Sequence, residues 1–115
     1  MIIEKLTESG DFTLAVSADS TREITSVYCC DLLSIVMGRA KADCAWVTVM
    51  GGINSVAVAV LTEAACVVLA ENVPLDGAAK ERAQQQGVTV LRTALPVFEA
   101  AARISAEITA ASEIK

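Results

Sequence analysis

The 115-residue sequence has no histidine, 3% aromatic residues and two prolines, and it lacks any long apolar run. Without histidine, the chain lacks the commonest general base and the commonest metal ligand. With so few aromatic residues, the core must consist of Ala, Val, Leu and Ile, which is typical of buried strands covered by helices with small side chains. No apolar run approaches the roughly 20 residues of a membrane span. These absences favour an α/β layer fold and argue against a membrane protein.

Positive charge is scarce and scattered, because 9 Lys and Arg stand against 14 Asp and Glu and give a net charge of −5. Nucleic-acid binding depends on clustered Lys and Arg, so we expect neither DNA nor RNA as a partner. The first ten residues, MIIEKLTESG, carry Glu4, Lys5 and Glu8 where a signal peptide would be apolar. We therefore expect a cytoplasmic protein with no membrane association.

None of the four cysteines stands in the C-x-x-C spacing that zinc sites and redox motifs share. They are Cys29, Cys30, Cys44 and Cys66. We interpret them as small core residues in a reducing compartment. The alternative for Cys30 is a thiolate favoured by a helix N-terminus. We expect no disulfide, no metal and no cofactor.

From residue 24 onward, apolar runs alternate with helical patterns. Strands are predicted over 24–29, 45–49, 65–70 and 88–92, and helices over 32–40, 53–64, 78–86 and 97–111. Right-handed crossovers make this order a single α/β domain, a mostly parallel sheet of about four to five strands with helices on its faces. We assign residues 24–112 to that domain and residues 1–23 to an N-terminal helix and a short extended segment packing on it.

The stretch VTVMGGINSVAVAVL, Val47 to Leu61, is compatible with a hairpin or with a strand, a glycine loop and a helix. A hairpin strand with one wet face should alternate, but residues 56–61 are apolar throughout. We therefore predict a helix. Its expected buried stripe is Ile53, Val56, Ala57, Val60, Leu61 and Ala64, and its expected outer face includes Val58 and Ala59.

That helix places Gly51 and Gly52 beyond the carboxyl end of a strand, where ligands bind in such sheets. Glycines let backbone amides approach an anion, and the helix dipole favours negative charge. Asn54 or Ser55 is expected to cap the helix and could also donate to a ligand. The alternative is a plain tight turn. Asp31 is expected to cap the N-terminus of the helix predicted over 32–40.

Residues 31–108 resemble a DRTGG domain in spacing and hydrophobic pattern. The segments that carry the likeness are KADCAWVTV, ACVVLAENVPLD, QGVTVL and FEAAARI. The signature residues differ. Gly51 and Gly52 stand near the family's Asp-Arg, and Ala70, Glu71 and Asn72 stand where the family has Thr-Gly-Gly. The chain thus resembles a divergent, stand-alone member.

DRTGG domains occur as accessory units beside cystathionine-β-synthase-type (CBS) domains in some pyrophosphatases and inside some phosphotransacetylases. The resemblance therefore implies a regulatory, nucleotide-responsive or dimer-forming module, and we expect no enzymatic activity. It also draws attention to the loop containing Glu71 and Asn72. A solvated loop carboxylate is the alternative interpretation of Glu71.

Three hypotheses follow. The first is a sensor of a nucleotide or small anion, with seven candidate residues: Asp31, Gly51, Gly52, Asn54, Ser55, Glu71 and Asn72. The second is a homo-oligomeric protein-interaction module with no small ligand, expected to be a homodimer, in which a subunit interface covers the surplus apolar surface of the helix at Val58 and Ala59. The third is an enzyme using Asp19, Asp31, Asp43, Glu63 or Glu71, and it ranks last because no spacing pairs these carboxylates.

Overall fold

The computed structural model of the protein describes residues 1–114 and forms an α/β layer structure. The strands are β1 (Phe12–Val16), β2 (Ser26–Cys29), β3 (Cys44–Thr48), β4 (Cys66–Leu69) and β5 (Val90–Thr93). The helices are α1 (Ile3–Leu6), α2 (Leu33–Arg39), α3 (Ile53–Thr62), α4 (Gly77–Gln86) and α5 (Val97–Ile114). No helix in residues 1–114 combines the length and the apolar character needed to cross a membrane.

The five strands form one sheet in the order β1-β5-β4-β3-β2. Strands β2, β3, β4 and β5 run parallel to one another, and β1 pairs antiparallel with β5. The predicted fold class is therefore confirmed. The N-terminal segment contributes more than packing, because its extended piece is an edge strand of the sheet.

The two central strands are apolar on both faces because helices cover both faces of the sheet. Every residue of β3 and β4 is buried. Side chains alternate along each strand, so Trp46 and Leu69 point into one core and Val47 and Val68 into the other. Two cores, one on each face, therefore hold the sheet.

Helices α2, α3 and α4 all pack on the same face of the sheet, with Val36, Val56 and Ala79 in one core with Trp46. This follows from the strand order, because successive parallel neighbours joined by right-handed crossovers place their helices on one side. Helices α1 and α5 cover the other face, with Ile104 among the buried residues of that core.

The prediction of a helix after Gly51-Gly52 is confirmed, but the predicted orientation of that helix is wrong. Its buried residues are Ser55, Val56, Val58 and Ala59. Val58 is 5% exposed, whereas Leu61 is 69% exposed. Small residues at 55 and 59 let the helix axis approach the sheet, and neighbouring α2 and α4 cover its flanks. The interface expected at Val58 and Ala59 is therefore core.

Large apolar side chains are exposed at Ile2, Leu14 and Phe98, and at six positions on α3 and on or just before α2. We call these six the apolar band, and they are Leu32, Ile35, Met37, Ile53, Val60 and Leu61. Single exposed apolar residues are ordinary, but six on or beside two helices that contact each other supply apolar surface that an interaction partner could cover.

The cysteines divide into two pairs. Cys44 and Cys66 are buried, as expected of small core residues, whereas Cys29 is exposed and Cys30 is half-buried. All four thiols are free. Desolvation raises the pKa of the fully buried Cys66 thiol to about 12. Burial also raises the pKa of Cys29 and Cys44, so none of these three thiols is activated as a thiolate.

Candidate functional site

The residues predicted from the sequence lie along one edge of the sheet. Asp31 follows β2, Gly51 and Gly52 follow β3, and Glu71 and Asn72 follow β4. Because β2, β3 and β4 are parallel, their carboxyl ends meet at this edge, which we call the carboxyl edge. Loops at such an edge are where open α/β sheets bind ligands.

Asp31 was expected to cap α2, but its carboxylate instead links the segments that follow β2 and β3. Its Oδ1 accepts hydrogen bonds from the Thr48 hydroxyl at 2.6 Å and from the Val49 amide at 3.0 Å. The residue that precedes α2 is Leu32, which makes no side-chain cap. Thr48 is fully buried, and this carboxylate is the acceptor that its hydroxyl proton needs there.

Gly51 and Gly52 have different surroundings. A Cβ at Gly51 would overlap the carbonyl oxygen of Pro74 and lie 3.3 Å from its carbonyl carbon. The Asp76 amide also donates to the Gly51 carbonyl at 2.9 Å. Gly52 has ordinary extended backbone, φ −96 and ψ 174, and open space where a Cβ would stand. Glycine at position 51 thus permits close approach of the loop that follows β4.

Asn54 and Ser55 do not cap α3, contrary to expectation. The residue before the helix is Gly52, and no side chain bonds the first amides. Ser55 is buried, and its hydroxyl donates back to the Met50 carbonyl at 2.7 Å. Asn54 is exposed at the carboxyl edge.

Glu71 and Asn72 both adopt the left-handed conformation with φ 59, which is uncommon for residues other than glycine. Their amides donate to the carbonyls of Leu95 and Thr93, each at 2.9 Å. The Glu71 carboxylate accepts the Val97 amide at 3.2 Å, at the first residue of α5. Hydrogen bonds thus join the loop after β4 to the loop after β5.

These two loops leave the sheet in opposite directions, because β4 leads to α4 on one face and β5 leads to α5 on the other. This divergence is a topological switch point, the position at which open α/β sheets form a crevice. A cavity of about 370 Å³ lies beside it, between the end of β5 and the start of β1, with Asn72 as its contact to the loop after β4. We call it the β5 cavity, and it is lined by Gly10, Asp11, Thr13, Asn72, Arg92, Thr93, Ala94, Leu95 and Pro96.

Arg92 is the one cation that lines the β5 cavity, and the sequence reasoning missed it. Its Nε donates to the Val73 carbonyl at 2.9 Å and its Nη2 to the Asn72 carbonyl at 3.1 Å. Thr13 stands opposite Arg92 in the pairing of β1 with β5. The sequence signal that could have identified it is a cationic residue at the end of the predicted strand VTVLR.

The remaining charged group of the lining, Asp11, pairs with Arg103 of α5 at 2.6 Å. Within residues 1–114, no three Cys, Asp or Glu side chains form a group that could hold a metal ion. Of the seven predicted residues, Asn72 alone lines the β5 cavity.

Fold and site together define a five-stranded α/β domain with a ligand-sized cavity at the carboxyl edge of its sheet. No protein-family model matches the chain, and no curated protein matches it. Among solved structures, it is similar to the CBS and DRTGG domains of the regulatory region of Clostridium perfringens pyrophosphatase, complexed with the activator diadenosine tetraphosphate. The TM-score is 0.65 at 10% sequence identity.

That similarity covers 89% of this chain and 44% of the pyrophosphatase chain, so this chain spans less than half of its neighbour's length. At this level of identity the likeness concerns the fold. The chain therefore has a fold related to that of a regulatory region.

Proposed function

We propose that this chain is a non-catalytic regulatory domain of DRTGG type that senses a nucleotide or another small anion at its carboxyl edge. The observation that carries the proposal is the fold shared with a regulatory region that was solved with a nucleotide activator. A cavity at the switch point of the sheet supplies a place for such a ligand. We place the protein in the cytoplasm.

The backbone of the loop after β4 supports a relation to DRTGG domains. When the sequence is compared with DRTGG domains, Glu71 and Asn72 stand where the family has two glycines. Both residues adopt the left-handed conformation that glycine favours. A divergent member that lost these glycines but kept the loop geometry would have this combination of residues and backbone angles.

The carboxylates of the carboxyl edge support a non-catalytic role. Asp31 accepts two hydrogen bonds that join strand ends, and Glu71 accepts the first amide of α5. A general base must be free to reach a substrate proton. We therefore assign both residues structural roles within the proposed ligand-binding domain.

The test is a thermal-unfolding screen of the intact protein with nucleoside mono-, di- and triphosphates, dinucleoside polyphosphates and simple anions. A specific ligand at one hundred times its dissociation constant stabilises the folded state by about 2.7 kcal/mol. We expect the melting temperature to rise with the concentration of at least one anion. A flat response to every compound would contradict the sensing function.

The apolar band supports a second candidate function, a homodimeric interaction module. Six exposed apolar side chains on α2 and α3 are the surface that a subunit interface would cover. We expect light scattering at micromolar concentration to return the mass of a dimer, and Leu61→Asp to return that of a monomer. A monomeric parent protein would contradict this candidate.

A further inference from the structure

We infer that the β5 cavity is the ligand site, and that it takes a phosphate monoester of about mononucleotide size with Arg92 as the phosphate-binding group. This inference rests on the proposed function and specifies its site and its ligand class. It assigns the main ligand contacts to the β5 cavity and not to the Gly51-Gly52 loop, where they were predicted from the sequence.

The Gly51-Gly52 loop is not open enough for an anion to contact both glycines. Gly51 packs against the Pro74 carbonyl, and its own carbonyl accepts the Asp76 amide. An anion would meet the negative end of the Pro74 carbonyl dipole on that side. The end of β5 borders a cavity, whereas the loop after β3 is in close contact with Pro74.

Arg92 is preorganised for an anion. Two of its three guanidinium nitrogens are held by the carbonyls of Asn72 and Val73, which fixes the plane of the group. Both partners are neutral, so they leave its charge uncompensated, and within residues 1–114 Arg92 forms no salt bridge. Its third nitrogen, Nη1, has no hydrogen-bond partner among the same residues. A fixed, unpaired guanidinium binds phosphate with little loss of side-chain entropy.

The other walls of the β5 cavity suit the remaining parts of a nucleotide. Thr13 and Thr93 add polar residues to the lining; the Thr13 hydroxyl donates to the Arg92 carbonyl at 3.5 Å and the Thr93 hydroxyl accepts the Leu95 amide at 3.2 Å. Leu95 and Pro96 add apolar surface for a ring. A volume of about 370 Å³ is within the usual range of small-molecule sites and exceeds what a bare phosphate fills.

The acidic residue of the lining does not prevent anion binding. Asp11 forms an ion pair with Arg103 at 2.6 Å, so a neighbouring guanidinium offsets its charge. Removing that carboxylate should therefore strengthen anion binding only slightly, whereas removing the Arg92 charge should weaken it strongly.

The test is calorimetric titration of the intact protein with adenosine monophosphate and, separately, with inorganic phosphate. Arg92→Gln removes the charge, and Ala94→Glu adds a negative charge at the exposed rim without touching the bonds of Arg92. Arg82→Gln removes an exposed arginine from α4 and is the matched control. Loss of one charge-assisted contact corresponds to about tenfold or more in affinity.

We expect the parent and Arg82→Gln to bind adenosine monophosphate equally, and Arg92→Gln and Ala94→Glu to bind it at least about tenfold more weakly. If Arg92→Gln loses its fold, Ala94→Glu still tests the site. Binding unchanged in Ala94→Glu, or in a folded Arg92→Gln, would overturn the inference and leave the proposed sensing function standing.

The two probes separate the parts of the ligand. Inorganic phosphate that binds as tightly as adenosine monophosphate would overturn the claim that the site uses the nucleoside. A parent protein that binds neither probe would overturn the inference, and the wider anion screen then decides the proposed function on its own.

Discussion

Gly51→Ala should destabilise the protein, whereas Gly52→Ala should have little effect. The two glycines are adjacent in the same loop, so the pair is a matched comparison. At position 51 a methyl group would overlap the Pro74 carbonyl, which is rigid backbone. At position 52 it would meet nothing within 4 Å.

The expected magnitude for Gly51→Ala follows from forced overlap in a packed contact, which costs about 1–3 kcal/mol. Moving Pro74 away would also stretch the hydrogen bond from the Asp76 amide to the Gly51 carbonyl, now 2.9 Å, and a lost bond adds about 1 kcal/mol. We therefore expect a loss of about 2–4 kcal/mol. Gly52→Ala should change stability by about 1 kcal/mol or less, because weaker capping opposes a lower entropy of the unfolded chain.

Urea unfolding followed by circular dichroism measures both changes, with equal m-values required for a two-state comparison. The total stability of such a domain is about 5–15 kcal/mol, so the Gly51→Ala protein should fold with a clearly lower midpoint. Equal midpoints for Gly51→Ala and the parent would refute the close approach to Pro74. Equal loss in both variants would instead indicate that the whole loop is sensitive.

Three further predictions concern the core, the carboxyl edge and a buried thiol. Val58→Asp should unfold the protein, because it buries an unpaired charge, whereas Leu61→Asp should leave circular dichroism unchanged; a folded Val58→Asp would contradict the orientation of α3. Asp31→Ala should lower the free energy of unfolding in urea by about 1–3 kcal/mol, because it removes the acceptor of the buried Thr48 hydroxyl, and an unchanged midpoint would contradict that role. Burial raises the pKa of Cys66 from 9.0 to about 12, so the unfolded chain loses this proton first and the free energy of unfolding should fall between those pH values. The free energy of unfolding should fall less steeply with pH in Cys66→Ala, and identical pH profiles for the two proteins would contradict the raised pKa of Cys66.

Strands, helices and the layer class could be predicted from local pattern. The runs around Trp46 and Val68 are apolar on both faces, which indicates strands covered on both sides. Residues 56–61 lack the alternation of a hairpin strand, and the structure has α3 there. A helix was predicted over 78–86, and α4 ends at Gln86, followed by Gly87 in the left-handed conformation with φ 72. Each of these features depends on neighbours along the chain.

The roles of individual side chains were harder to predict. Asp31 has the type and position of a helix cap, yet its carboxylate bonds Thr48 and Val49 of the next strand. The burial of Val58 and the exposure of Leu61 depend on how closely α3 approaches the sheet between two other helices. Hydrophobic pattern ranks the candidate faces of a helix but contains no information about which neighbours flank it.

By itself, the sequence determined that parallel strands would alternate with helices, and hence that its loop residues would gather at one edge of the sheet. Only the tertiary structure decided which loops diverge there. The pairing of β1 with β5, separated by most of the chain, completes the cavity beside Arg92. The helices after β4 and β5 also take opposite faces of the sheet, so the loops beside that cavity diverge. Strand order is a property of long-range packing, and periodicity along the chain does not encode it.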